Sequence, residues 1–444
     1  MKIIKRHIKI PLHQNRMIVL LNSINGAVVS LSSKETKNFL ACESNGITPE
    51  FEKTTLYETL KQFQFIVPDD YDEEKEFNNI VCSLLGKDIF SPQQTRQIYF
   101  IFSYDCNFRC PYCFEAKQHS DTNQEYPIMT REYVDAAFNT CPNASEVVLF
   151  GGEPLLESNR GIIEYIFNKF PALSYYIITN GYLLKEYIEL FKCVNVKGVQ
   201  VTIDGPETYH NRTRILKSQP REGTYSKILN GVEACLKAQI PVKIRMTITG
   251  DQKHLETCFA LRKTLQSQFN EYNDLLSFEL SPIFQVGFHR QLEILSDLYS
   301  KELHNDCNDY NRSIDTEAPI VKSFVFHKKI RPQIKYCIAH TNSRVFFDPF
   351  GNMYTCISMV GNEEFSIGKY YPHLEIKEQS LINRDISKIK ECMACRYSLF
   401  CGGGCPAKNS SARESLFTPS CERTYGIFNE LLPALLEQMI PYTD

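Results

Sequence analysis

Three cysteines share one short loop as C-x3-C-x2-C, in Cys106-Asn107-Phe108-Arg109-Cys110-Pro111-Tyr112-Cys113. Thiolates suit soft metals, and three of them can hold three corners of a four-iron cluster. The fourth iron is then left without a protein ligand. A cluster that only stores or passes electrons usually has four ligands, so an open iron points to a bound substrate or cofactor. The bland alternative is a zinc knot. Zinc usually takes four ligands, commonly in two short pairs, and no fourth Cys or His lies in the loop, His119 being the nearest.

A second set follows near the end of the chain. Cys337 and Cys356 stand as C-x13-G-x4-C around Gly351, followed by Cys392-x2-Cys395-x5-Cys401-x3-Cys405 and then Cys421. The CxxC pair alone would fit a zinc ribbon, but seven thiols are awkward for one zinc. Cys42, Cys82, Cys141, Cys193, Cys235 and Cys258 are solitary and read as small buried hydrophobes; Cys307 is ambiguous. Clustered cysteines in a reducing compartment point to metal rather than disulfides. That compartment is itself an expectation. The start, Met1-Lys2-Ile3-Ile4-Lys5-Arg6-His7, is too polar for a signal peptide, and no apolar run is long enough to span a membrane. The chain is expected to be cytoplasmic, with no membrane partner. Lys plus Arg is 49 against Asp plus Glu 52, so no whole-protein field draws nucleic acid.

The 444 residues exceed one ordinary core and imply two or three domains. From about Gln97 strands and helices alternate. Ile98–Ser103 feeds the cysteine loop, and Val147–Phe150, Tyr175–Thr179, Val199–Ile203, Val242–Ile248 and Ser277–Leu280 are further strands. Arg131–Asn139, Ile162–Lys169, Leu183–Phe191, Tyr225–Lys237 and His254–Gln268 read as the helices between them. Six strands separated by helices predict an α/β fold, a partial (βα)6 TIM-type barrel, with its chemistry at the C-terminal strand ends. Before it, Met17–Asn22 and Ala27–Leu31 form a hairpin around Asn25-Gly26. Capping boxes at Ser32–Glu35 and Thr55–Glu58 open two helices, and Phe65-Ile66-Val67 closes residues 1–70 as a strand. The acidic run Asp69–Glu74 opens a further helix within a linker over 71–96. Residues 97–290 make the barrel, 291–330 a connecting segment, 331–427 the cysteine-rich domain and 428–444 a C-terminal helix.

The triplet, with an aromatic residue just before its third cysteine, resembles the radical S-adenosylmethionine (radical SAM) enzymes. In them the open iron binds the methionine part of SAM, and an electron from the [4Fe–4S] cluster releases a 5′-deoxyadenosyl radical. The resemblance carries site roles with it. Gly151-Gly152-Glu153-Pro154 would hold the SAM amino group, through backbone carbonyls and the Glu. Thr202, Asp204 and Arg214 stand where the family reaches the ribose and carboxylate, and Tyr112 would lie by the adenine. From the residues alone, Asp204 reads equally as a cap on the Gly205-Pro206 turn, Thr179-Asn180-Gly181 as a structural turn and His210 as a packing residue.

The seven C-terminal cysteines are similar to the SPASM module, which houses two auxiliary [4Fe–4S] clusters. By that likeness Cys392, Cys395, Cys401 and Cys421 hold one cluster, and Cys337, Cys356 and Cys405 the other. The extra cysteine usual in that module is missing around Arg331, which leaves Cys307 or an outside ligand for the last iron. Residues 1–70 are similar to the winged-helix unit with which peptide maturases grip a leader as an added strand. The likeness implies a precursor-peptide or small-protein substrate, cross-linked by a thioether or carbon–carbon bond, and a flavodoxin or ferredoxin as electron donor. A sulfatase-type maturase, oxidising a Cys or Ser, is the near alternative. It is weakened because Ile357, not Asp, follows Cys356, and no catalytic base can be named. A non-catalytic iron–sulfur carrier is the alternative of another kind.

Overall fold

A computed structural model of the chain describes residues 1–85, 90–115, 126–248, 252–282, 330–378, 380–409 and 415–444. His119, Cys307 and all of the expected connecting segment except Ile330 lie outside these. Among the described residues no helix is long and apolar enough to cross a membrane.

At the N-terminus β1 (Lys2–Ile3) pairs with β5 (Ile66–Val67), and β2 (His7–Leu12), β3 (Met17–Asn22) and β4 (Val28–Leu31) form an antiparallel meander. The expected hairpin is β3–β4, with Gly26 at φ +73° in its turn. The helix α1 (Ser33–Asn45) opens on a closed capping box, Ser32 accepting from the Glu35 N–H while the Glu35 carboxylate accepts from Ser32. In α2 (Thr55–Gln62) the cap is Thr54 rather than Thr55. A short 3-10 turn over Phe51–Lys53 leaves Thr54 extended, so its hydroxyl meets the Tyr57 N–H and Thr55 takes the first helical position.

Every residue of β3 is buried because both faces are covered. Ile18 and Leu20, with Val29 and Leu31, face Phe39, Leu56 and Leu60 of α1 and α2. Met17, Val19 and Leu21, with Ile8, Ile10 and Leu12 of β2, join the main core with Phe428, Leu432 and Leu435 of the C-terminal helical stretch. Sequence reading misses β2. Its Pro11 argues against a strand, yet β2 is an edge of the sheet, where proline is tolerated. The acidic run does open a helix, α3 (Glu73–Leu85). Its Phe77 and Val81 pack on Ile334, Ile386 and Leu399 of the cysteine-rich region.

The middle of the chain winds as expected. β6 (Gln97–Ile101), β7 (Glu146–Phe150), β8 (Ser174–Thr179), β9 (Asn195–Thr202), β10 (Val242–Ile248) and β11 (Leu276–Pro282) are parallel neighbours in that order. Crossovers carry α4 (Arg131–Thr140), α5 (Arg160–Lys169), α6 (Ile188–Phe191), α7 (Glu207–Thr213), α8 (Tyr225–Lys237) and α9 (Gln252–Gln268). The helix expected over Leu183–Phe191 is in part a 3-10 turn, Leu184–Tyr187. Ile98, Phe100, Val147 and Leu149 face the helices, and Tyr99, Ile101, Val148 and Phe150 face the barrel interior. Burial on both faces makes these strands continuous apolar runs.

The cysteine-rich region adds a seventh parallel strand. β12 (Arg344–Phe347) pairs with β6, Val345 opposite Ile98, and β13 (Asn352–Tyr354), β14 (Gly368–Lys369) and β15 (Glu375–Ile376) extend the sheet antiparallel. The result is an α/β partial barrel with a parallel-dominated sheet and a cysteine-rich C-terminal extension on the β6 side.

Candidate functional site

The cysteine loop leaves the C-terminal end of β6 and is pinned on both flanks. Asp105 Oδ1 accepts from the Cys106 N–H at 2.9 Å, and Asn180 Nδ2 donates to Asn107 Oδ1 at 2.7 Å. The Arg109 and Lys217 N–H groups exchange bonds across the loop with Ile215 and Asn107, and Phe108 is buried against Tyr182. Burial pushes the thiols of Cys106, Cys110 and Cys113 up, Cys113 to about 12. Such thiols keep their protons until a metal displaces them.

The next strand end closes over this loop. Gly151 and Gly152 take φ +84° and +50°. A Cβ on Gly152 would lie 2.1 Å from the Asp105 carbonyl oxygen, so only glycine lets the two loops touch. Gly152→Ala is therefore expected to cost at least about 1–3 kcal/mol of local strain. It should also lower the iron retained by the triplet, as read by iron analysis beside a melting curve.

Glu153 is fully buried, and its carboxylate is taken up by the protein. It accepts from Thr179 Oγ1 at 2.7 Å, the Asn180 N–H at 2.7 Å and the Leu155 N–H at 2.9 Å. The Thr179-Asn180-Gly181 turn thus serves to hold Glu153. The Pro154 carbonyl accepts from Asn159.

At the end of β9, Asp204 is fully buried and gathers the other site residues. Its Oδ2 accepts from the hydroxyls of Tyr112 and Thr213, and its backbone oxygen meets His254 Nε2. The Tyr112 hydroxyl lies 3.4 Å from Arg214 Nη1. Arg214 is buried between Cys110, Tyr112 and Asp204; burial would lower its pKa, but these three neighbours hold it well above the usual arginine value. Thr202 stands at the last position of β9. His210 is buried against Thr224 and Tyr225, and burial holds it down to about 3.

Sequence reading misses Glu115, two residues beyond the last cysteine of the triplet. Its Oε2 accepts from the Gly152 N–H at 3.0 Å, while Oε1 is buried without a partner. Burial pushes this carboxyl up to about 7. An acid so close to Cys113 is the only local signal, and nothing in the sequence says that it turns inward. Asp348, also missed, closes the β12–β13 turn by accepting from the Phe350 and Asn352 N–H groups and lies 3.3 Å from the Tyr104 hydroxyl; burial pushes it up to about 6. Ile357 packs beside the apolar barrel interior, where it offers no base.

Burial pushes up the thiols of Cys337, Cys356, Cys392, Cys401 and Cys421, and the neighbouring thiols that add to this shift fall into two groups. Cys337, Cys356 and Cys405 form one, and Cys392, Cys395, Cys401 and Cys421 the other. Between them Arg384 is fully buried. Its guanidinium donates to the carbonyls of Gly402, Gly403, Gly404, Leu416 and Thr418, at 2.6 to 3.5 Å. Gly402, Gly403 and Gly404 all have positive φ, which turns three successive carbonyls toward it.

Among the described residues no three His, Cys, Asp or Glu side chains close on one point as they would around a single ion. A four-iron cube is wider than an ion and spreads its ligands. The site fits such a cube with SAM on it. Three thiols share one loop, a glycine pair opens the backbone beside them, and Glu115 Oε1, Asp204 Oδ1 and Arg214 Nε are buried without partners. These are acceptors and a donor of the kind that an ammonium, ribose hydroxyls and a carboxylate would satisfy.

Comparison with known proteins agrees. Residues 100–256 match the family described as the Radical SAM superfamily. GTP 3',8-cyclase of Clostridium perfringens is 30% identical over 185 residues, 40% of this chain and 53% of that protein. GTP 3',8-cyclase of Alkaliphilus oremlandii is 29% identical over 189 residues, 41% of this chain and 55% of that protein. The chain thus spans about half the length of the curated relatives it matches. Among solved structures, anSMEcpe with bound AdoMet superposes with a TM-score of 0.55 at 19% identity, over 78% of this chain and 95% of that one. Streptococcus suis SuiB bound to its precursor peptide SuiA gives 0.52 at 13% identity, over 94% and 98%. At these identities the likeness is one of fold. With the cysteine loop and the glycine pair beside it, the match over residues 100–256 identifies a radical SAM domain in this chain.

Proposed function

We propose that this chain is a radical SAM maturase that cross-links a residue of a ribosomally made peptide or small protein. One observation carries the reading: β12 pairs directly with β6, so the cysteine-rich region shares a sheet with the strand that feeds the triplet. Cys106, Cys110 and Cys113 hold the SAM-binding [4Fe–4S] cluster. Two auxiliary [4Fe–4S] clusters rest on Cys392, Cys395, Cys401 and Cys421, and on Cys337, Cys356 and Cys405. When bound, SAM and its cluster would supply a 5′-deoxyadenosyl radical for hydrogen-atom abstraction from a substrate carbon. Forming a thioether or carbon–carbon link then releases one proton and one surplus electron, and an auxiliary cluster is a suitable sink for that electron. A flavodoxin or ferredoxin delivers the starting electron.

The full-length fold likeness to SuiB, a protein solved with its precursor peptide, supports a peptide substrate. The GTP 3',8-cyclases suggest a nucleotide instead. Their matches of 185 and 189 residues cannot run from Cys106 to Cys421, and so leave at least one of the two cysteine regions uncompared. The test is anaerobic: the reconstituted, reduced protein is given SAM with a candidate precursor peptide, or with GTP. Release of 5′-deoxyadenosine together with a loss of two hydrogens from the peptide is the expected result. Turnover of GTP alone would replace this reading with the cyclase one.

The free edge of the N-terminal meander supports a site for the leader. Among the described residues β4 pairs on one side only, with β3. The Asn22 N–H donates to the Ala27 carbonyl, so by the alternation of an antiparallel ladder Val28 and Ser30 turn their N–H and C=O groups outward. Added strands use such an edge. Ser30→Pro keeps the bonds to β3 but removes an outward donor. It is expected to cut peptide modification at least tenfold while SAM cleavage without peptide continues. Normal modification by this variant would move the leader elsewhere.

A further inference from the structure

Glu153 was expected to supply the carboxylate for the SAM amino group. Its oxygens already accept from Thr179, Asn180 and Leu155, inside a fully buried pocket. A carboxylate so engaged is a poor partner for a further cation. Glu115 stands on the other side of the same glycine pair, in the same loop as the triplet. One of its oxygens anchors the Gly152 N–H at 3.0 Å. The other is buried and unpartnered. Glu115 lies two residues beyond Cys113 and reaches across to the end of β7 through Gly152, so the carboxylate joins the cluster loop to that strand end.

A buried carboxylate oxygen without a donor is costly, and sites that keep one usually complete it with a ligand. The ligand must bring a hydrogen-bond donor, preferably a cation, next to Cys113 and Gly152. We propose that Glu115, rather than Glu153, is the carboxylate that accepts the α-ammonium group of SAM. Glu153 is then a positioning residue. It ties the end of β7 to the end of β8 and so sets the glycine pair at the right height. This inference rests on the radical SAM reading of the triplet.

The test separates the two acids by the part of SAM that each would sense. The reconstituted holoprotein is titrated with SAM and with an analogue lacking the α-amino group, and binding is followed by equilibrium dialysis and by the EPR signal of the reduced cluster. Glu115→Gln keeps an oxygen for the Gly152 N–H and presents an amide in place of the charge. It is expected to weaken SAM by about ten- to a hundredfold, the worth of one charge-assisted hydrogen bond. The deaminated analogue should stay within about twofold of wild type, because it carries no ammonium to lose. Glu153→Gln should lower the melting temperature and weaken both ligands alike. Equal losses for both ligands in Glu115→Gln, or no loss for either, would overturn the proposal. If Glu115→Gln loses its iron, Glu115→Asp serves instead. It keeps the charge but withdraws it by one methylene, so SAM should again weaken more than the analogue, and equal effects again count against it. A wild-type protein that binds no SAM defeats the underlying reading instead, which is a different result.

Discussion

Replacing Arg384 with methionine is expected to empty both C-terminal cysteine sets of iron and to leave the triplet loaded. The side chain is fully buried and its N–H groups are all directed at backbone carbonyls, those of Gly402, Gly403, Gly404, Leu416 and Thr418. Methionine fits the volume but offers no donor. Gly403 keeps the Ser420 N–H, but the other four abandoned carbonyls would each cost about 1–3 kcal/mol if they stayed buried. Their sum rivals the roughly 5–15 kcal/mol that holds a whole domain together. The chain must therefore rearrange over the Cys401–Cys405 loop and over the approach to Cys421. Both sets suffer, since Cys401 and Cys421 belong to one and Cys405 to the other. The three clusters proposed above would hold about 12 irons per chain if all are cuboidal, so the variant should then keep about 4. Arg384→Lys supplies three donors and should fall between. Anaerobic iron and sulfide analysis reads the outcome, and a methionine variant with its full iron content would show that the two sets are held by other means.

Changing Cys106, Cys110 and Cys113 together to alanine is expected to abolish 5′-deoxyadenosine release and to leave about 8 irons in place. The structure separates the two parts. The triplet loop is pinned by Asp105, Asn180 and the Ile215–Lys217 segment, and among the described residues the hydrogen bonds that pin it involve neither Arg384 nor the C-terminal cysteine loops. Phe108 keeps its buried place, so the loop should stay folded without its thiols. Continued formation of 5′-deoxyadenosine by the triple variant would end the radical SAM reading outright. Loss of all iron would instead mean that the clusters are assembled together.

The parts legible in the sequence are those whose signals are local. The triplet is read from spacing inside one loop, and the six barrel strands from apolar runs bounded by turns. The observed limits of β6 to β11 fall within a few residues of those expected. The Gly151-Gly152 pair announces a close backbone approach, and the structure supplies the partner, the Asp105 carbonyl. The Ser32 box is legible for the same reason, because all of its bonds lie within one turn of chain.

What only the tertiary structure decided are pairings between residues far apart, which leave no period or spacing to read. The four residues of β12 look like a minor strand of the cysteine region until they are found beside β6, more than two hundred residues earlier. The continuous apolar run of β3 does not reveal that its second cover is the C-terminal helix. Arg384 lies in an ordinary polar stretch, and its role exists only because three left-handed glycines turn their carbonyls onto it. The two acids beside the triplet make the same point about function. Glu153 sits in a recognisable motif and Glu115 does not. Which of them has an oxygen to spare depends on where Thr179, Asn180 and Gly152 place their hydrogens, and that is settled only when β7, β8 and the cysteine loop come together.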